Sequence, residues 1–291
     1  MSHSIYFYFD KESIAKESDI IELLDITISE KSEDGEHWTY INERTGVYFI
    51  VEKMKKVEDV NKNLLNSINK EYKFTGFCFI LNYYRADFFG YEAFSFIEYF
   101  TEKLNLNVLD PQEENIKVKK YNYIELFKNW SNSNNNFIKS SPNEENFFYP
   151  TDKSEYVWKY NFEYNQLENT LDETVFIPRI NFVKNYKDNS IGSICIWYFD
   201  AFQIFPNCDY YLLGRFLDSE QKEAEYKVIK QETLFKLLNK YFIKQNYLDI
   251  EYFAIPLELL EKLNEKFLKI ESELVFRNEI EFVREDLIIN I

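Results

Sequence analysis

Six glycines and six prolines are all that 291 residues contain, roughly a third of the usual share of each. So few glycines leave few positions free to take φ > 0 and little flexible linker, so a folded body is expected. No GxGxxG or GxxxxGK(S/T) run occurs, and the scattered glycines could not line a phosphate cradle; a Rossmann or P-loop nucleotide site is not expected. Cysteine is nearly as rare. Cys78, Cys195 and Cys208 are sparse and odd in number, which offers neither a disulfide framework nor a CxxC metal site. Cys78 in Gly76-Phe77-Cys78-Phe79-Ile80 and Cys195 in Ile194-Cys195-Ile196-Trp197 have the setting of small buried hydrophobes.

Histidine is scarcer still. A Ser-His-Asp or Cys-His arrangement would have to use His3 or His37. His3 falls in what reads as a frayed terminus, and His37 opens a hairpin strand. Zinc spacing and an EF-hand loop are also missing, so no catalytic triad, metal or cofactor is expected. There is no apolar run of about 18 residues to span a membrane. Met1-Ser2-His3-Ser4 lacks the charged and apolar regions of a secretory leader. A cytoplasmic protein without membrane partners is expected.

Positive charge is in deficit, with 34 basic against 50 acidic residues and a formal net charge of −16. Nucleic-acid binding draws most of its affinity from Lys and Arg on phosphates. The basic runs Lys53-Met54-Lys55-Lys56 and Lys117-Val118-Lys119-Lys120 are short and flanked by Glu52, Glu58, Glu113 and Glu114. Nucleic acid is therefore not an expected partner, whereas a basic protein would be steered towards such a surface.

Aromatic residues are what the chain has in excess: Phe 28, Tyr 23 and Trp 4, or 19% of all residues. Each buried ring removes a large apolar area from water. The Asn, Lys, Ile, Tyr and Phe bias is also what an AT-rich genome produces. Exposed rings carry functional meaning only where they are contiguous.

Along the chain, Ile5–Phe9 is a strand, Ser13–Leu24 a short amphipathic helix and Ile26-Thr27-Ile28 a second strand. His37–Ile41 and Val47–Val51 form a hairpin whose loop closes at Gly46. A surface helix over residues 55–70 follows, then a central strand, Lys73–Tyr83, apolar on both faces. Ala93, Phe96, Ile97, Phe100 and Leu104 lie on one stripe of the best helix, and Val108-Leu109 is a short strand. A helix at Tyr121–Trp130 precedes Ser131–Asn136, a polar tract expected to be loop or linker. Later come a helix at Ser154–Thr170 and a β-meander of Val175–Lys184, Ser190–Phe199 and Asp209–Phe216. A strand at Tyr226–Lys230 leads to helices near Glu232–Lys244 and Leu257–Ile270, and a last strand is expected at Glu279–Val283. Strands beside strands predict an α+β fold with largely antiparallel sheets. The expected division is a domain over 1–112, a helix and Asn/Ser-rich linker over 113–150, and a domain over 151–291. The alternative is one continuous domain with a long insertion.

Two segments stand out as candidate binding loops. In the first, residues 82–92, Tyr84, Arg85, Phe88 and Glu92 lead from the central strand into the best helix. Arg85 could instead pair with Asp87 or Glu92 to cap that helix. The second, residues 199–211, is an apolar connection holding Asp200, Phe202, Phe205 and Asp209; it must pack on the core or present a patch. Arg179 and Arg215 lie in apolar strands and need carboxylates, with Asp200 or Asp209 the nearest by topology. The functional expectation is a non-enzymatic protein-binding module, a bacterial toxin-neutralising or effector-associated partner of a basic protein. A hydrolase with two carboxylates in an aromatic cleft and a structural homo-oligomer are the alternatives.

Overall fold

The computed structural model describes residues 1–58, 60–142, 145–198, 201–216 and 224–290. The fold is α+β with mostly antiparallel sheets. Two compact units make up the chain: Met1–Asn146 together with Asp286–Asn290, and Phe147–Glu285. Among the described residues, no helix is long and apolar enough to cross a membrane.

In the first unit β1 (Ser2–Asp10), α1 (Glu17–Thr27), β2 (Glu30–Lys31), β3 (His37–Ile41) and β4 (Tyr48–Lys53) are followed by α2 (Lys62–Ile68) and β5 (Tyr72–Asn82). After these come α3 (Asp87–Lys103), β6 (Asn107–Leu109), β7 (Val118–Lys119) and α4 (Tyr123–Ser140). The strands form one antiparallel sheet in the order β2-β3-β4-β5-β1-β6-β7. Its centre explains the aromatic excess, because β1 and β5 are buried on both faces. One face packs on α3 through Phe7 against Phe100 (5.2 Å) and Phe49 against Phe96 (4.9 Å). The other carries Tyr6, Tyr8, Cys78 and Leu109 against Ile68 and Leu64 of α2. The β1–β5 register slips between Tyr6 and Tyr8. There Gly76 takes φ +86°, and Thr75 Oγ1 donates to the Phe7 carbonyl at 2.9 Å, so a bulge is built at a residue free to adopt that conformation.

Three local expectations for this unit need correction. Ile26-Thr27-Ile28 is not a strand: Ile20, Leu24 and Ile28 are all buried four residues apart, so the helical period of α1 runs on to Thr27. His3 is not frayed, since it pairs with Leu81 in the sheet and is fully buried. Ser131–Asn136 is not a linker but the middle of α4. Asn lies about 0.6 kcal/mol below Ala in helix propensity, yet Leu126, Trp130, Asn134 and Ile138 repeat every four residues as a buried stripe. Asn134 is held by the neighbouring loop, accepting from the Tyr84 amide (2.8 Å) and donating to the Arg85 carbonyl (2.8 Å). Tertiary contact overrides propensity here.

Helices α3 and α4 approach each other at Gly90. A Cβ there would lie 2.8 Å from Phe127 and from the fully buried ring of Trp130. Gly90→Ala gains about 1 kcal/mol in helix propensity and loses about 1–3 kcal/mol to overpacking. The expected net effect is a lower urea midpoint at unchanged m-value; a raised midpoint would show that α4 yields without strain.

In the second unit the order is β8 (Phe147–Tyr149), α5 (Thr151–Phe162), α6 (Tyr164–Thr170), β9 (Ile180–Asn185), β10 (Ser190–Tyr198), β11 (Ile204–Pro206), β12 (Tyr210–Phe216) and β13 (Ala224–Lys230). It continues with α7 (Gln231–Leu238), β14 (Ile243–Tyr247), β15 (Ile250–Ala254), α8 (Leu257–Lys269) and β16 (Ile280–Val283). A five-stranded sheet runs β13-β12-β10-β9-β16, and a smaller one β11-β15-β14. The expected meander holds for β9 and β10 but not beyond, because β10 and β12 are parallel. The connection leaves to place β11 in the smaller sheet and returns to the same end, which forces that direction. Likewise the helix expected to reach Lys244 stops at Leu238, and Ile243–Ala254 is a hairpin. Its turn sets Leu248 and Asp249 at φ +48° and +61°, a geometry usually signalled by Asn-Gly and invisible in Leu-Asp.

Candidate functional site

Three elements of the second unit converge on one carboxylate. Strand β10 alternates its side chains, sending Ile194 and Ile196 to one face and Ser193 to the other. Pro150 opens α5, so that Tyr149 precedes the helix and Lys153 lies in its first turns. The segment Asn207-Cys208-Asp209 delivers Asp209 just before β12. Asp209 Oδ2 accepts from the Tyr149 hydroxyl (2.6 Å), the Ser193 amide (2.9 Å) and the Ser193 hydroxyl (3.1 Å). Its Oδ1 accepts from Lys153 Nζ at 2.5 Å. The Asp209 amide in turn donates to Ser193 Oγ at 3.0 Å.

Burial pushes the Asp209 carboxyl up, but the hydrogen bonds from Lys153, Tyr149 and the Ser193 amide outweigh it and hold the group below the usual range. Burial, and then the Asp209 charge, push the Tyr149 phenol well up, so it stays a donor. Burial also raises the Tyr156 phenol and the Cys208 thiol, which leaves the thiol unreactive at neutral pH. Two adjoining hollows of about 270 and 360 Å³ share Asp209 and Gln231. Tyr149, Tyr156, Asp152 and Lys153 wall the first, and Gly192, Tyr210, Lys230 and Glu232 the second. Tyr156 is fixed by accepting from the Asn207 amide (2.9 Å) and donating to the Glu251 carbonyl (2.6 Å). The result is a groove whose walls are tied by hydrogen bonds around a carboxylate held below its usual range. One oxygen is locked by the fold, and the other is served by a lysine that is 51% exposed.

The remaining residues singled out from the sequence are placed differently. Asp200 lies outside the described residues. Phe205 is core, packed on Trp197 (4.9 Å) and Phe242 (5.0 Å), while Phe202 is half-buried and its carbonyl accepts from the Phe176 amide at 2.8 Å. Among the described residues Arg179 pairs with Glu285, at 2.5 Å, and not with Asp209, which takes Lys153. Arg215 is half-buried on β12 opposite Glu225.

In the 82–92 loop, Phe88 is buried in the core and Tyr84 takes φ +59°. Arg85 pairs with neither Asp87 nor Glu92. It donates to the Tyr48 hydroxyl (2.5 Å) and the Tyr84 carbonyl (2.9 Å), and lies 3.8 Å from Asp286. Buried Glu92 instead accepts from the Tyr40 hydroxyl (2.7 Å), Asn42 Nδ2 (2.6 Å) and the Thr45 hydroxyl (2.9 Å), tying α3 to the β3–β4 loop. These residues hold the fold, whereas Asp209 lies in a groove.

Another buried polar group was hidden in the sequence. His3 Nδ1 is 3.2 Å from the Tyr83 hydroxyl and Nε2 is 3.3 Å from Asp110 Oδ2, all three residues being buried. Sequence separations of 80 and 107 positions conceal such a cluster; only the pairing of β1 beside β5 and β6 creates it. Among the described residues no group of His, Cys, Asp and Glu side chains could hold a metal ion. Compared with known protein families, curated proteins and solved structures, the chain matches none.

Proposed function

We propose that this chain is a non-catalytic binding protein whose Asp209 groove receives a basic side chain, arginine before lysine, from a partner protein. The observation that carries the reading is the asymmetry of Asp209: Oδ2 is fixed by Tyr149 and Ser193, and Oδ1 accepts, among the described residues, from the half-exposed Lys153. Lys153 thus holds the place of an incoming cation, which can replace it without any new carboxylate being desolvated. The partly exposed ring of Tyr156 in the wall favours guanidinium, which stacks on rings and is weakly hydrated. A net charge of −16 speeds the encounter with a basic surface. A toxin-neutralising or effector-associated role is the narrower form of this reading.

Carboxylate hydrolysis draws less support. An acid catalyst needs a raised pKa, whereas among the described residues every Asp or Glu with a displaced pKa is displaced downward, Asp209 and Asp110 included. Ser193 faces Asp209 and Tyr149 rather than a free base.

Titration with N-acetyl-arginine amide and with the basic proteins captured from a lysate at low salt tests the proposal. Asp209→Asn is expected to weaken binding by about 30-fold or more, and Lys153→Ala to tighten it by removing the internal competitor. Equal affinity in wild type and Asp209→Asn would sink the reading, as would weaker binding in Lys153→Ala.

A further inference from the structure

The polar face of α4 borders a second hollow, in the first unit. Asn129, Asn132, Ser133 and Asn136 are spaced as one helical face and line a cleft of about 570 Å³ opposite Gln112 and Asn115. We propose that this cleft is a binding site for a neutral polyhydroxylated ligand, a mono- or disaccharide.

Three features point to that class. Each carboxamide both donates and accepts, as each sugar hydroxyl does, so a wall of amides matches a ring of hydroxyls without needing charge. The charged residues at the rim, Glu113, Glu114, Lys117 and Lys119, sum formally to zero. Glu113 is moreover occupied: it accepts from Tyr121 (2.5 Å) and Asn129 (3.1 Å) and lies 3.6 Å from Lys119. Lys119 is likewise shared between Glu113 and Glu125 (3.6 and 3.7 Å), and the exposed Lys117 and Glu114 carry opposite charges, so the rim presents no net charge to an ionic ligand. Finally, the wall is mounted rigidly from behind. Asn129 Nδ2 also donates to buried Asp110 at 3.2 Å, and Asp110 leads to His3 and Tyr83. The cleft volume is in the range of small-molecule sites. A row of poor helix formers that packing does not require, Asn132 and Asn136 being exposed, is the local inconsistency expected at a functional surface.

The probe is a panel of hexoses, N-acetylhexosamines, disaccharides and linear polyols, observed by saturation-transfer NMR on the full chain. Wild type and the double variant Asn132→Ala/Asn136→Ala are compared, with thermal unfolding as the control for folding. Both alanines replace exposed amides on a helix, so the variant is expected to be at least as heat-stable as wild type. Saturable binding of at least one sugar, insensitive to salt and weakened tenfold or more in the double variant, is the expected result. No binding by any member of the panel would overturn the proposal. Undiminished binding in the double variant, or binding that collapses between about 50 and 200 mM salt as ionic contacts do, would overturn it equally. Because Asp209 belongs to the other unit, Asp209→Asn is expected to leave sugar binding unchanged, so this proposal and the basic-partner proposal fail separately.

Discussion

Glu92→Ala is expected to lower the unfolding free energy by about 3 kcal/mol, among the largest single-residue effects in the chain. The carboxylate is buried and accepts from Tyr40, Asn42 and Thr45. Deleting it orphans those donors at about 1 kcal/mol or more each and opens a gap beneath the β3–β4 loop. Glu92→Gln keeps the shape but replaces one acceptor with a donor that faces another donor, so an intermediate loss is expected. Urea unfolding of the three proteins checks the ranking. Amide exchange should speed first at residues 42–47, because the Asn42 side chain also accepts from the Arg44 amide (3.0 Å) and the Gly46 amide bonds the Asn42 carbonyl (2.8 Å). A loss below 1 kcal/mol for Glu92→Ala would mean that water replaces the carboxylate and that the network does not anchor α3.

The second large effect concerns acid. Burial raises the Asp110 carboxyl, but the His3 ring 3.3 Å away, with the Gln112 amide and Asn129, brings it below its ordinary value of 3.8. A carboxyl depressed in the folded state stabilises the fold fully above its unfolded pKa and loses that contribution as pH falls through the folded one. Wild-type stability should therefore be flat in this respect from neutral pH down to about pH 4 and decline below it. His3→Leu removes the chief lowering influence and leaves a buried carboxylate poorly paired. The expected outcome is a loss of about 2–3 kcal/mol at pH 7 that shrinks as the pH falls below about 4, because the variant no longer has the depressed Asp110 carboxyl whose contribution acid removes. Urea midpoints measured from pH 3 to 7 decide it; superimposable acid limbs would show that His3 and Asp110 do not communicate.

The architecture was more legible than the site. Periodicity located β1, the β3–β4 hairpin, the central β5 and α3 because each has a strong apolar pattern and local turn chemistry, as at Gly46 with φ +72°. Where the pattern was overruled, a contact distant in sequence did it: Asn134 clasping the loop at Tyr84, or β11 crossing to pair with β15. The Asp209 groove was half visible. An acidic residue closing an apolar connection marked Asp209, but Tyr149, Lys153 and Ser193 carry no signal of their own, being 60, 56 and 16 residues away. Arg85 and Glu92 drew notice as polar residues in aromatic surroundings. That signal is the same for a ligand site and for a buried strut, and only the hydrogen-bond partners separate the two.

The first unit is interrupted: Asp286–Asn290 belongs to it although the whole of Phe147–Glu285 intervenes. Arg85 finds Asp286, the Asp87 amide finds Asn290 Oδ1 at 2.5 Å, and Asn146 finds the Leu287 carbonyl at 3.3 Å. A polypeptide leaving the ribosome at about 5–20 residues per second therefore presents β1 to β7 and α4 many seconds before the segment that completes them. The nascent first unit waits without Asp286 beside Arg85, Leu287 at Asn146 or Asn290 at the Asp87 amide while the second unit is still being made. Order of synthesis and order of completion are thus reversed: the part begun first is the part finished last.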